Sequence, residues 1–184
     1  GWNYIGPCHE YPETKVEGPM GQIRGCRYIS GIGPRRTIDR FLKDAEVLED
    51  YLLTEEGKGN PHFEFHLAKS YMDAARELEA SGNATGCTEN LHRAIGWFET
   101  RMANRGGWDE TRWYSAYAVA QCMMLLGEPI ELCITATMMA VDQRPTRAEP
   151  LVNLARWLRE VGYPRLAWPY AVAACALPLP TDSL

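Results

Sequence analysis

Three phrases of this chain repeat one pattern. Phe65-His66-Leu67-Ala68-Lys69-Ser70-Tyr71, Tyr117-Ala118-Val119-Ala120-Gln121-Cys122 and Val152-Asn153-Leu154-Ala155-Arg156-Trp157-Leu158 each set a small alanine inside an aromatic and aliphatic face. Ala120 and Ala155 stand 35 residues apart, close to the roughly 34-residue tetratricopeptide period. Gly127 and Gly162 follow those alanines by seven residues, with Ala75 at the same distance from Ala68, which reads as a helix end at a fixed place. A unit of this kind cannot bury its own apolar face and must stack on its neighbours, so the period commits the chain to a helical array. The gap from Ala68 to Ala120 is longer, 52 residues. The surplus is expected as an insertion around Arg76 to Asn90 that lengthens a helix pair and adds a loop at Ser81-Gly82-Asn83-Ala84-Thr85-Gly86.

Apolar spacing places the helices. Ile38, Phe41, Leu42, Ala45, Leu48 and Leu52 recur at three and four residues, predicting a helix from Thr37 or Asp39 as N-cap to near Gly57. A second should begin at Asn60-Pro61, where Asn caps and Pro fits the first turn, bury Phe65, Leu67, Ala68, Tyr71 and Met72, and end at Ser81-Gly82. Four or five more are predicted, over roughly 87–104, 109–126, 129–142, 147–161 and 163–176, with Trp97, Trp113, Trp157 and Trp168 filling the wedges between pairs. Residues 1–36 hold Gly6-Pro7, Gly18-Pro19 and Gly33-Pro34, with β-tolerant runs such as Ile23 to Ile29 between them, and read as strands and loops. The predicted fold is therefore mainly α: a tetratricopeptide-like array over 37–184 behind a short irregular or β segment.

Charge and cysteine usage narrow the function. A formal net charge of -5 gives no basic face for nucleic acid. Six cysteines form no Cys-x-x-Cys pair and several fall on helix core faces, which favours reduced thiols and a cytoplasmic location. No apolar run is long enough to span a bilayer. The opening at Gly1, directly into Trp2-Asn3-Tyr4-Ile5, reads as a piece of something longer. Asn83-Ala84-Thr85 matches a glycosylation acceptor by chance, and Gly31-Ile32-Gly33 is a turn without the third glycine of a dinucleotide fingerprint. His62, His66 and His92 are expected to be solvated or packing side chains, and Arg144, Arg147 and Glu149 to pin the turn between two helices.

More specific phrases carry a resemblance. Gly106-Gly107-Trp108-Asp109-Glu110 with Trp113-Tyr114, Arg144-Pro145-Thr146-Arg147-Ala148-Glu149-Pro150-Leu151, and Leu154-Ala155-Arg156 look like the C-terminal helical-repeat region of bacterial and phage family-2 glycosyltransferases. In that family a sugar-nucleotide-binding α/β domain precedes the repeats, and the joint reads Trp, a Gly, then His-Glu-Tyr. Here Trp2, Gly6 and His9-Glu10-Tyr11 match it, so the resemblance covers nearly the whole chain. It departs from the pattern near residues 76 to 90.

The resemblance implies that residues 1–36 are the C-terminal end of a catalytic domain. It implies that His9 lies beside a divalent metal, Mn²⁺ or Mg²⁺, and the nucleotide diphosphate of the donor, and that Glu10 orients it or contacts the acceptor. The Asp-x-Asp pair that such transfer needs occurs nowhere in this sequence, so the chain alone is expected to be inactive and to hold no cofactor of its own. The repeats would support the catalytic domain, self-associate, or meet a protein or peptide acceptor. His9-Glu10 as a bland surface pair is the alternative at the residue level, and a free-standing protein-binding adaptor is the alternative for the whole chain.

Overall fold

The computed structural model describes residues 2–9, 11–14 and 38–178. Among them are two strands, β1 (Trp2–Ile5) and β2 (Tyr11–Thr14), and seven helices: α1 (Ile38–Leu52), α2 (Pro61–Ala80), α3 (Ala84–Ala103), α4 (Asp109–Leu126), α5 (Ile130–Gln143), α6 (Glu149–Glu160) and α7 (Pro164–Cys175). The strands pair antiparallel, Trp2 opposite Thr14 and Ile5 opposite Tyr11. Each helix packs on the one before it, and α2 also meets α4, as α4 meets α6. This is a mainly α repeat array with a β hairpin at one end.

Local chemistry sets the helix ends. Asn60 caps α2 by accepting a hydrogen bond from the His62 amide at 3.0 Å, with Pro61 as the first helical residue. Asn83 caps α3 in the same way, accepting from Gly86 at 2.9 Å. Gly127 (φ 70°) and Gly162 (φ 93°) close α4 and α6 in the left-handed region, where a side chain would clash with the backbone. The expected N-cap for α1 is not found at Asp39, which lies inside the first turn; Thr37 and the Ile23 to Ile29 run lie outside the described residues. That helix also stops at Leu52 rather than near Gly57, because Thr54 Oγ1 bonds back to the Tyr51 carbonyl (2.6 Å) and accepts from the Gly57 amide, forming a turn of its own.

The long first spacing comes from the lengthened helix pair expected there, without the added loop. The connection between α2 and α3 is three residues, 81–83, as short as the one between α4 and α5, and Ala84, Thr85 and Gly86 are already helical. The whole surplus is helix. α2 runs twelve residues past Ala68 where α4 runs six past Ala120; α3 has 20 residues against 14 in α5; and α4 starts eleven residues before its alanine where α6 starts six before Ala155. Ala75, where a helix end was expected, is therefore mid-helix.

The three anchor alanines are buried, allowing close approach of successive helices. One apolar cluster, centred on Leu48, Phe63, Leu67, Met72, Leu91 and Phe98, joins α1 to α4. A second, around Cys133, Leu154 and Leu158, joins α4 to α7. Burial of each such side chain contributes about 1.5–3 kcal/mol. Trp113 is buried and Trp97 and Trp157 half-buried, as the wedge reading requires. Trp168 is not: it is 71% exposed, because no helix of the described residues stacks beyond α7.

Five cysteines are free thiols among the described residues. Burial pushes Cys122 up to about 12 and raises Cys87 and Cys133, each with a nearby carboxylate adding to the effect for the latter two. Thiolate is the reactive form. In the native protein at pH 8, a maleimide or disulfide reagent is expected to label the exposed Cys175 within minutes and to leave Cys87, Cys122 and Cys133 unlabelled until denaturant is added, read by mass spectrometry of digests.

Candidate functional site

The hairpin is fastened to the array through α2. Gly6 adopts φ 109° and lies flat on the Phe63 ring, where a Cβ would overlap the ring itself. Only glycine meets both demands. Tyr11, the first residue of β2, packs edge-on against His62 with centroids 4.8 Å apart and takes a hydrogen bond from Asn60 Nδ2 at 3.3 Å.

Between those two attachments the chain turns through His9, whose backbone is also left-handed (φ 52°). Strain of this kind is held only where the surroundings over-determine it. Here the His9 carbonyl lies 2.6 Å from His62 Nε2, which must carry the proton to donate. The His9 ring stacks on His66 with centroids 4.3 Å apart and planes 12° from parallel. Its Nε2 is 3.9 Å from Asp44 Oδ2 on α1, while Cys8 reaches toward the Asp44 carbonyl at 4.0 Å. A small open cavity of about 160 Å³ adjoins the ring, lined also by Phe41, Phe65, Lys69 and Asp73. Lys69 and Asp73 are bound to each other at 2.8 and 2.9 Å.

Sequence reasoning singled out His9, and the structure adds His66, His62 and Asp44 around it. His62 and His66 are four residues apart on α2, hence on one helix face; that spacing was the available signal. His92 lies exposed on α3, away from this group. Glu10 lies outside the described residues. The chemistry of the site is that of an imidazole fixed in place beside one carboxylate. Among the described residues no group of three or more His, Cys, Asp or Glu side chains could hold a metal ion. A hard divalent cation seeks six or so largely oxygen donors, so His9 and Asp44 fit one edge of such a shell, and its remaining donors would have to come from outside these residues.

The other motifs are structural. The Gly106-Gly107-Trp108 loop wraps the guanidinium of Arg101, a fully buried side chain that donates to the Asn104 carbonyl (2.7 Å), the Trp108 carbonyl (2.9 Å) and Thr111 Oγ1 (3.0 Å). Arg144 and Arg147 meet Glu110 at 2.9 and 3.3 Å, and Arg147 also meets Glu149 at 2.9 Å, so the turn before α6 is pinned to the start of α4. No helix of the described residues is long and apolar enough to cross a membrane. Comparison with protein-family models, with curated proteins and with solved structures finds no match.

Proposed function

We propose that this chain is the C-terminal helical-repeat region of a nucleotide-sugar-dependent glycosyltransferase, together with the last strands of its catalytic domain. The observation that carries this reading is the immobilised His9. Its carbonyl, ring face and ring nitrogen are each engaged, by His62, His66 and Asp44, at the junction of hairpin and array. A metal-dependent transferase would use an imidazole held this way, because one nitrogen ligand must be aimed at the cation that neutralises the leaving diphosphate. In this reading β1 and β2 belong with further strands of the catalytic sheet, His9 is the metal ligand, Mn²⁺ or Mg²⁺ supplies the charge neutralisation, and the repeats buttress the donor site.

The test uses the chain extended upstream through its reading frame, assayed for hydrolysis and transfer of UDP-sugars with Mn²⁺. His9→Ala is expected to lower turnover at least about tenfold, and Asp44→Asn and His66→Ala to lower it about 10- to 100-fold at subsaturating Mn²⁺, with partial recovery at high Mn²⁺ for these two alone. An extended protein that neither binds nor turns over any nucleotide sugar overturns the reading. The adaptor alternative would then take its place, supported by a groove of about 570 Å³ beside Tyr117, Val152, Asn153 and Arg156.

A further inference from the structure

The two ends of the array are unlike. At the last pair, Val152 on α6 (43% exposed) and Trp168 and Val172 on α7 (71% and 50%) leave an apolar face open to water. Two grooves of about 570 and 470 Å³ adjoin there, both lined by Val152, Ala155, Arg156 and Ala171. A repeat pair buries its apolar face by stacking on a neighbour, and among the described residues no helix covers this one. Its charges are basic: Arg156 and Arg159 line the grooves, and Glu149, the acid among the lining residues, is held by Arg147 at 2.9 Å.

At the first end, α1 carries Asp39, Asp44, Glu46, Glu49 and Asp50 against Arg40 and Lys43. Leu42, Glu46 and Asp50 follow one another at four-residue spacing on its outer face, with Leu53 just past its end; Leu42 is 37% and Leu53 83% exposed. This is an acidic amphipathic surface with leucine at both ends. Among the described residues no ion pair engages Glu46, Asp50, Arg156 or Arg159.

We infer that the basic, apolar α6–α7 groove of one copy receives the acidic outer face of α1 from a second copy. The leucines cover Val152 and Trp168, while Glu46 and Asp50 meet Arg156 and Arg159. The contact joins unlike surfaces, so it is heterologous, and it either closes into a small ring or extends. It is independent of any sugar-transfer activity.

Sedimentation and light scattering of the full chain over a concentration series test it. At low salt the mass is expected to rise above that of one chain and to fall back in about 0.5 M NaCl, where exposed charges are screened within a few Å. Arg156→Glu with Arg159→Glu, and separately Glu46→Arg with Asp50→Arg, are each expected to weaken association at least tenfold through like-charge contact. All four positions are exposed or at the surface, and circular dichroism checks that the helices persist. The two double variants mixed in equal amounts should associate with each other, and the chain carrying all four changes should again associate with itself. Wild type that keeps the mass of one chain throughout overturns the inference. So does a wild type that associates while the mixed variants do not, since the groove would then take another occupant, whether another segment or an acidic partner protein.

Discussion

Arg101→Ala is expected to lower the unfolding free energy by about 4 kcal/mol, read as a fall in the urea midpoint. The guanidinium is fully buried and supplies a hydrogen bond to each of three acceptors in the α3–α4 connection. Its removal leaves the Asn104 carbonyl without that donor and opens a cavity where the side chain lay. The loss spreads to α2, because the Asn104 side chain donates to the Gly59 carbonyl (2.8 Å) and to Glu64 Oε2 (3.0 Å). Arg101→Lys recovers only part of the loss, about half, since one ammonium cannot reach three acceptors fixed for a planar fork.

The deficit depends on pH. Burial raises the Glu64 carboxyl above its ordinary value, and the Asn104 hydrogen bond and Arg101 charge hold it down. A carboxyl with a raised folded pKa binds its proton more tightly in the folded state, so folding loses stability as pH rises from the ordinary carboxylate range through the folded value. Without Arg101 the folded value moves higher. The difference between wild type and Arg101→Ala should therefore be smaller near pH 4 than at pH 7. A difference that is flat or grows toward acid contradicts the assigned coupling.

Trp113→Ala is expected to cost about 3–5 kcal/mol, confined to one half of the array. Trp113 is the largest fully packed side chain of α4; its Nε1 donates to the Ala140 carbonyl of α5 at 3.1 Å, and Tyr117 stacks beside it at 5.8 Å. The Arg147 guanidinium lies 4.4 Å over the ring while binding Glu110 and Glu149. One side chain therefore holds α5 and the turn before α6 against α4. In a stacked array each unit feels mainly its neighbours, so amide exchange should speed up in α4 to α6 and stay nearly unchanged in α1 to α3. Trp113→Phe should cost about 1–2 kcal/mol, because Ala140 keeps its intrahelical partner, the Arg144 amide. Uniform acceleration through all seven helices would show the array to be one cooperative unit.

Apolar spacing and the breaks between runs marked the helices in the sequence to within a few residues, because most present a core face and end in Gly, Pro or Asn chemistry that acts locally, whereas α4 is buried on nearly all sides. What periodicity does not report is how far a helix continues once its core face is satisfied, and so part of the surplus between Ala68 and Ala120 read as a loop at residues 81 to 86, although only the lengthening of the helix pair is found. Arg101 is legible in the same way: Ala94, Phe98 and Arg101 follow one another at four and three residues on a single face, which places a charge in the core. The site was legible only in part. His9 entered through a motif resemblance, whereas its contacts with His66 and Asp44 join positions 57 and 35 residues away along the chain, and such pairing depends on how the hairpin docks rather than on any local pattern.

The unequal helix lengths restrict how this array can be rebuilt. α3 carries six residues more than its counterpart α5, and α2 runs six residues further past Ala68 than α4 does past Ala120, about 9 Å at the helical rise. A copy of the α2–α3 pair inserted between α5 and α6 would leave nearly two turns of each helix without a neighbour to cover them. A copy of the compact α6–α7 pair set after α7 would meet a face of its own length. Duplication or shuffling is thus easier for the α6–α7 pair than for the α2–α3 pair, which is bound to its position by length as firmly as by its contacts with the hairpin.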